Sequence, residues 1–235
     1  MKKILYHRGK YYHIINRGIQ GLKIFKNVKD YIHFLHCMKE YNSNLHIDMR
    51  AIKMLKRSEI NILANNGDGH IVDILGYCLH ENHFHILLCQ RVEDGIPMFM
   101  KKLGTGYAMY MNKFYNTSGH LFEGAYKAHP IATEDELLFF SAYVHLEPGM
   151  KKNGHARLLK TDYTMLKKVS QYPWSSIQEY LLLPFVFAGL TEIKNVKPKI
   201  DKAPVLEALG TQLYENYILN FWGKQSVYKI DKKFL

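Results

Sequence analysis

Two histidines separated by one residue, His83 and His85, are the residues of this sequence best suited to hold a metal ion. They lie in an apolar run typical of a β-strand, where successive side chains point to opposite faces. The two imidazoles therefore share one face, about 6.5–7 Å apart along the chain, and can converge on one ion. The alternative is a pair of unrelated histidines, since the chain has 13 of them.

Tyr143 and Glu147 form a second group of chemical interest. They stand four residues apart at the end of a predicted helix, so their side chains lie on one face about 6 Å apart. Pro148 disfavours ideal helical geometry at Glu147 and can turn its carboxylate forward. A carboxylate beside two imidazoles gives a site with open positions, suited to Mg²⁺ or Mn²⁺ bound to phosphate oxygens. The alternative is that Tyr143 is a core aromatic and Glu147 a solvated helix end.

Hydrophobic periodicity and turn residues predict the elements that must position these side chains. Asn27 is the predicted N-cap of one helix, and Thr133 with Glu136 forms a capping box that opens another. Residues 47–70 contain a clear turn at 65–69, but the segment before it fits either a strand or a helix. Strands are predicted over 12–16, 71–79, 83–89 and just before 131, and helices over 28–41, 96–114, 133–148, a short segment after 174, and 205–221.

This order of elements predicts an α+β fold, an antiparallel sheet with helices packed on it. The hairpin 71–89 is expected in the middle of the sheet, because both of its strands are rich in large apolar residues. We predict one domain over residues 1–180. Residues 181–235 are predicted to be a basic linker (194–202) followed by a helical extension.

The charge balance favours a polyanionic partner. Lys and Arg number 32 against 21 Asp and Glu, which gives a net charge of +11, and residues 1–29 contain no acid at all. Nucleic acid is the commonest partner of such a chain, and the alternatives are simple solubility or an anionic membrane surface. Three cysteines without a CxxC pair argue against a disulfide framework and a zinc ribbon. With no secretory signal and no apolar run long enough to span a bilayer, we expect a soluble cytoplasmic protein without a membrane partner.

Five segments occur in one order along the chain: Tyr12-His13-Ile14-Ile15-Asn16-Arg17-Gly18, Gly76-Tyr77-Cys78-Leu79-His80-Glu81-Asn82-His83-Phe84-His85-Ile86-Leu87-Leu88, Gly119-His120-Leu121-Phe122-Glu123-Gly124, Ala142-Tyr143-Val144-His145-Leu146-Glu147-Pro148, and Tyr172-Pro173-Trp174-Ser175-Ser176. Together they resemble the REP-associated tyrosine transposases, relatives of the single-tyrosine insertion-sequence transposases within the HUH nuclease superfamily. The resemblance spans about residues 11–180, and the joint pattern is far more specific than any one segment.

The resemblance implies a ferredoxin-like or RRM-like HUH nuclease core. It implies His83 and His85 as ligands of a divalent metal (Mg²⁺ or Mn²⁺), residue 147 as the third ligand, and Tyr143 as the nucleophile that forms a 5′-phosphotyrosine. The implied partner is single-stranded or hairpin DNA, bound by a monomer or homodimer in the bacterial nucleoid. From their charge we expect the basic residues Arg17, Lys101, Lys102 and Lys127 to contact DNA phosphates.

Residues 47–70 look longer than is typical of the family, and three positions in or beside the motifs depart from its pattern. Glu147 stands where Asn is usual, which keeps an oxygen ligand and adds charge. His80-Glu81 replaces the usual Met-Pro, a change expected to be harmless. Ala125 stands where an Arg is common, so we expect one phosphate or base contact of the family to be missing here.

Two other functions remain open from the residues. A metallohydrolase would use the same ligands to activate water, with Tyr143 incidental. A domesticated DNA-binding protein would keep the fold without cleavage, although the intact set of His83, His85 and Tyr143 argues against it. Tyr107, on the long predicted helix, is the main alternative nucleophile, but its place on an apolar stripe indicates packing.

Overall fold

The computed structural model describes residues 4–43, 69–149, 162–183 and 196–221. A four-stranded antiparallel sheet forms its centre, with strand order β2-β3-β1-β4. The strands are β1 (Tyr11–Arg17), β2 (Val72–His80), β3 (His83–Gln90) and β4 (Lys127–Ile131). Among the described residues a helix lies between β1 and β2 and another between β3 and β4, which is the ferredoxin-like βαββαβ arrangement and confirms the predicted fold class.

The helices α1 (Val28–Glu40) and α2 (Gly95–Phe114) are these two crossover connections. They pack on one face of the sheet over a core that includes Phe34, Phe84 and Tyr107. The side chain of Asn27 accepts the backbone N–H of Asp30, and the Asp30 carboxylate accepts that of Asn27, so α1 begins with a reciprocal cap. This cap supplies partners for N–H groups that the first helical turn leaves free.

The other face of the sheet carries α3 (Glu134–Leu146), continued by a 3₁₀ turn at Glu147–Gly149. Thr133 caps α3 through its hydroxyl, as predicted, while the Glu136 carboxylate accepts from the Ala132 N–H. Every residue of α3 from Leu137 to Leu146 is buried. The described residues contain four more helices: α4 (Tyr163–Ser170), α5 (Ile177–Tyr180), α6 (Ala203–Leu209) and α7 (Tyr214–Leu219). Several of them surround α3 in a second core.

The prediction that both hairpin strands lie in the middle of the sheet was wrong, because β2 is an edge strand. Its apolar character has another cause: the segment around Trp174 covers the free edge. The Leu79 N–H donates to the Trp174 carbonyl at 2.8 Å, and the Tyr77 N–H donates to Ser176 Oγ at 2.9 Å. An edge whose backbone groups are paired in this way is buried like an interior strand.

The extension also differs from its prediction. Instead of one helix over 205–221, two short helices meet near Gly210, whose φ of 63° ends α6. Such a φ is favourable for glycine and costly for other residues. Both helices pack into the core around α3, where Val205, Tyr217 and Phe221 are buried. Helix α4 was not predicted, and the turn at 65–69 lies mostly outside the described residues. No helix among the described segments is long and apolar enough to cross a membrane.

Candidate metal centre and nucleophile

Four side chains of the β2–β3 hairpin form a compact array on the sheet face that α3 covers. Cys78 and His80 lie two residues apart on β2, and His83 and His85 lie two apart on β3, so all four point to one face. The register pairs Cys78 with His85 and His80 with His83. Directly paired side chains have Cβ atoms about 4.5–5.5 Å apart, so the four groups are mutual neighbours.

Glu147 meets this array from the end of α3. Its Oε1 lies 2.9 Å from His83 Nε2, and its Oε2 lies 3.5 Å from His85 Nε2 and in contact with His80 Nε2. The ligand atoms of His83, His85 and Glu147 all lie within 4.8 Å of one another. The structure therefore brings together the three residues that the sequence pattern selected as a metal-binding set.

The second nitrogen of each histidine is held by a neighbour. His83 Nδ1 lies 2.7 Å from Asn82 Oδ1, and His85 Nδ1 lies 2.8 Å from His13 Nε2. Each contact directs the remaining nitrogen, Nε2, towards Glu147. Outer partners of this kind fix the orientation and tautomer of a metal-binding imidazole.

The electrostatics of the centre follow from burial. Burial alone would raise the pKa of the Glu147 carboxyl, but the imidazoles of His85, His80 and His83 outweigh it and hold the pKa well below its usual range. Burial lowers the pKa of His85 far below its ordinary value, so its imidazole is neutral at pH 7. A neutral imidazole and an ionised carboxylate are the forms in which these groups bind cations.

Tyr143 lies one helical turn before Glu147, whose backbone N–H donates to the Tyr143 carbonyl. The Tyr143 ring stands edge-on to the His85 ring, with centroids 5.6 Å apart. Burial, followed by the negative charge of Glu147, raises the pKa of the Tyr143 hydroxyl. Without a cation beside it, this hydroxyl stays protonated at neutral pH.

Tyr107, the alternative nucleophile, lies elsewhere. It is fully buried on the opposite face of the sheet, and its hydroxyl donates to the Ile24 carbonyl at 2.6 Å. This environment is that of a packing residue.

The four basic residues selected from the sequence divide between the two faces. Arg17 pairs with His83 across the β1–β3 ladder, and Lys127 pairs with Ile15, itself opposite His85, so both start on the face of the candidate centre. Arg17 is exposed and forms an ion pair with Glu123. Lys101 and Lys102 are exposed on α2, which packs on the other face, and Lys102 donates to the Ser43 carbonyl at 2.8 Å.

Sequence reasoning missed four residues of this neighbourhood. The replacement of the family's usual Met-Pro by His80-Glu81 was expected to be harmless, yet His80 contacts Glu147. Cys78 Sγ in turn lies 3.2 Å from His80 Nε2. His13 and Asn82 were not singled out as partners of the two histidines. Strand alternation predicts that Cys78 and His80 share one face of their own strand. Only the hairpin register, which pairs His80 with His83, places that face with His83 and His85.

Comparison with known proteins identifies the class. The profile of the family described as "Transposase IS200 like" matches residues 31–147, about half of the chain. The chain belongs to this family of IS200-like transposases, as the sequence motifs predicted. No curated protein matches the sequence.

Two solved structures show weaker likenesses. A REP-associated tyrosine transposase bound to a REP hairpin is 13% identical, with a TM-score of 0.44, over 80% of this chain and 91% of its own. The tRNA(His) guanylyltransferase from Saccharomyces cerevisiae is 11% identical, with a TM-score of 0.32, over 100% of this chain and 86% of its own. At these scores neither likeness decides a function.

Proposed function

We propose that this transposase is a metal-dependent single-strand DNA endonuclease and strand transferase with Tyr143 as its nucleophile. The observation that carries the proposal is the convergence of His83, His85 and Glu147 one helical turn from Tyr143. A tyrosine beside a cation-binding group can attack a phosphate that the same group orients.

The residues of the centre fit a divalent cation. His85 Nε2 is buried and has no hydrogen-bond partner among the described residues, although it faces Glu147. Two imidazoles and one carboxylate leave open positions for phosphate oxygens. When bound, the ion would supply the positive charge that polarises a scissile phosphate and lowers the pKa of a nearby hydroxyl. We propose Mg²⁺ or Mn²⁺.

Tyr143 supplies the covalent chemistry in this proposal. Its hydroxyl oxygen, after losing its proton, attacks the phosphorus, and the bond from phosphorus to the 3′ oxygen breaks. The products are a 5′-phosphotyrosine and a DNA strand ending in a 3′-hydroxyl. A second 3′-hydroxyl then attacks the phosphotyrosine, which restores a phosphodiester and returns the proton to Tyr143. Because the link conserves the phosphodiester energy, strand transfer needs no ATP.

The proposed substrate is single-stranded DNA, particularly DNA folded into a hairpin. The net charge of +11 supports a nucleic-acid partner, and the resemblance to REP-associated transposases supports the folded single strand. We further propose residues 1–180 as the catalytic domain and a monomer or homodimer as the active form.

The test is covalent capture. The full chain is incubated with a library of single-stranded hairpins and Mn²⁺, denatured, and the attached DNA is sequenced. We expect a protein–DNA adduct that peptide mass spectrometry maps to Tyr143. Tyr143→Phe should bind DNA normally and give neither adduct nor cleavage, since it loses one oxygen and keeps the ring.

Two control variants sharpen the test. Tyr107→Phe should still form the adduct, because that hydroxyl is engaged with the Ile24 carbonyl. His83→Ala should lose cleavage and regain part of it in excess Mn²⁺. If Tyr143→Phe still cuts DNA and the wild type carries no adduct, the metallohydrolase replaces this proposal. DNA binding without cleavage in any divalent metal would point to the domesticated DNA-binding protein.

A further inference from the structure

We infer that the hairpin array holds a second divalent cation, bound by Cys78, His80 and Glu147, with Glu147 shared between the two positions. The inference adds a binding site to the proposed function and does not require Tyr143 to act as a nucleophile. It concerns two residues that the proposed nuclease centre does not use.

The first support is distance. The ligand atoms of Cys78, His80 and Glu147 lie within 4.8 Å of one another, as do those of the set that contains His83 and His85. Cys78 Sγ is 3.2 Å from His80 Nε2, and His80 Nε2 contacts Glu147 Oε2. Two three-residue sets therefore adjoin, and Glu147 is the member that they share.

The second support is the way in which Glu147 is approached. The rings of His80 and His83 stack with centroids 4.4 Å apart and an interplanar angle of 6°. His83 Nε2 lies beside Oε1 of the carboxylate, while Oε2 faces both His80 Nε2 and, at 3.5 Å, His85 Nε2. A carboxylate that faces imidazoles of both sets can be shared by two cations, and paired metal sites of this kind occur in nucleases and phosphatases.

The third support is burial. Cys78 is fully buried, and side chains of β3 and α3 surround it in the second core. Glu147 and His80 have side chains only 16% and 14% exposed. Polar groups that have so little contact with water need hydrogen-bond partners or a bound ion to offset the cost of burial.

The donor set indicates the kind of ion. A thiol sulfur, an imidazole nitrogen and a carboxylate oxygen are the ligands that Zn²⁺ takes in proteins, and three of them leave one position open. Mg²⁺ prefers oxygen ligands. The Cys78 thiol would lose its proton to solvent when the ion binds, because the thiolate is the form that ligates metals. We assign this second position to zinc or a similarly thiophilic divalent ion.

The competing explanation is a hydrogen-bonded relay from Cys78 through His80 to Glu147 that holds no ion. Titration of the metal-free full chain with Co²⁺, a spectroscopic substitute for Zn²⁺, separates the two. Bound thiolate gives cobalt an intense near-ultraviolet charge-transfer absorption, which imidazole and carboxylate ligands do not give. The number of Co²⁺ and Zn²⁺ ions per chain is measured in parallel by equilibrium dialysis and elemental analysis.

We expect two ions per chain and a thiolate absorption. Cys78→Ser and His80→Asn should each bind one ion, and Cys78→Ser should lack the absorption. His83→Ala should lose the other ion and keep the absorption. Cys89→Ser is the matched control and should behave as the wild type, because Cys89 lies outside the set.

Three results would overturn the inference. One is a single ion per chain with no thiolate absorption, lost on His83→Ala, which would leave the proposed nuclease centre standing. Another is a single ion that either His80→Asn or His83→Ala removes, which would mean one ion held by a mixed set. The third is no bound ion in folded wild-type protein, which would also remove the metal from the proposed function. Circular dichroism verifies the folding of each variant.

Discussion

His13 Nε2 lies 2.8 Å from His85 Nδ1, and the two rings are parallel to within 3°. Burial, and then the neighbouring His129, lowers the pKa of His13 to about 3, so its imidazole is neutral at pH 7 and its Nε2 can accept a hydrogen bond from His85 Nδ1. With the proton of His85 on Nδ1, the other nitrogen, Nε2, is free to bind a cation. The contact thus joins the register of β1 and β3 to the chemistry of the candidate centre.

His13→Phe tests this contact. The substitution keeps a ring against Phe140, on which His13 stacks, but leaves His85 Nδ1 without its acceptor. Loss of such an outer partner weakens metal binding by about 10–100-fold. We expect that loss for Mn²⁺ in isothermal titration calorimetry at pH 7. The control is His129→Phe, which alters a ring packed on the same Phe140. An unchanged affinity in His13→Phe would contradict the orienting role.

A second prediction concerns how the basic residues affect the salt dependence of DNA binding. Neutralising a Lys or Arg that contacts a single-strand phosphate lowers the slope of log K against log salt concentration by about 0.7. We expect that change for Arg17→Gln and Lys127→Gln, which begin on the face of the candidate centre. Lys101→Gln and Lys102→Gln should lower the slope by the same amount only if the bound DNA strand also crosses α2. Fluorescence anisotropy with a labelled hairpin measures each slope, and equal affinity for duplex and hairpin would contradict single-strand preference.

A third prediction concerns the contribution of Asp30 to the free energy of unfolding. Its buried carboxylate accepts the backbone N–H of Lys26 at 2.8 Å and the hydroxyls of Tyr115 and Tyr110 at 2.7 and 3.1 Å. Asp30→Ala leaves several donors without an acceptor, so the free energy of unfolding should fall by about 3 kcal/mol. Urea denaturation measures the change. Glu134→Ala, which removes an exposed acid from the first turn of α3, should cost about 0.5 kcal/mol or less.

A fourth prediction concerns the effect of His145 on the pH dependence of stability. Burial lowers its pKa to about 3, and its nitrogens lie 2.7 Å from Tyr214 Oη and 2.8 Å from Ser176 Oγ. Between pH 6.5 and 3 the unfolded chain protonates this histidine and the folded chain does not, so stability falls as the pH falls through that window. From pH 7 to pH 5 the loss due to His145 is about 2 kcal/mol.

The measurement is the urea midpoint as a function of pH. His145→Gln keeps a group that can form hydrogen bonds but cannot titrate there, so its stability should fall less steeply than that of the wild type. His13 and His85 leave a residual slope of the same sign, because burial lowers the pKa of both. Parallel curves for wild type and variant would show that His145 is not the titrating group.

The sequence alone determined those features that depend on neighbours along the chain. Strand alternation placed His83 and His85 on one face, and helical periodicity placed Tyr143 one turn before Glu147. The caps at Asn27 and Thr133 set where α1 and α3 begin. These relations involve residues at most a few positions apart, so backbone geometry fixes them before any tertiary contact forms.

The tertiary structure decided which of these faces meet. Glu147 is 64 residues from His83 in sequence, and only the packing of α3 on the sheet brings their side chains within 2.9 Å. The pairing register alone places His80 opposite His83 and Cys78 opposite His85, and a shift of one residue would turn them to opposite faces. The same long-range packing put β2 at an edge and α2, which carries Lys101, on the sheet face opposite the candidate centre. Such contacts depend on hydrogen-bond ladders and burial between distant segments, and local periodicity carries no information about them.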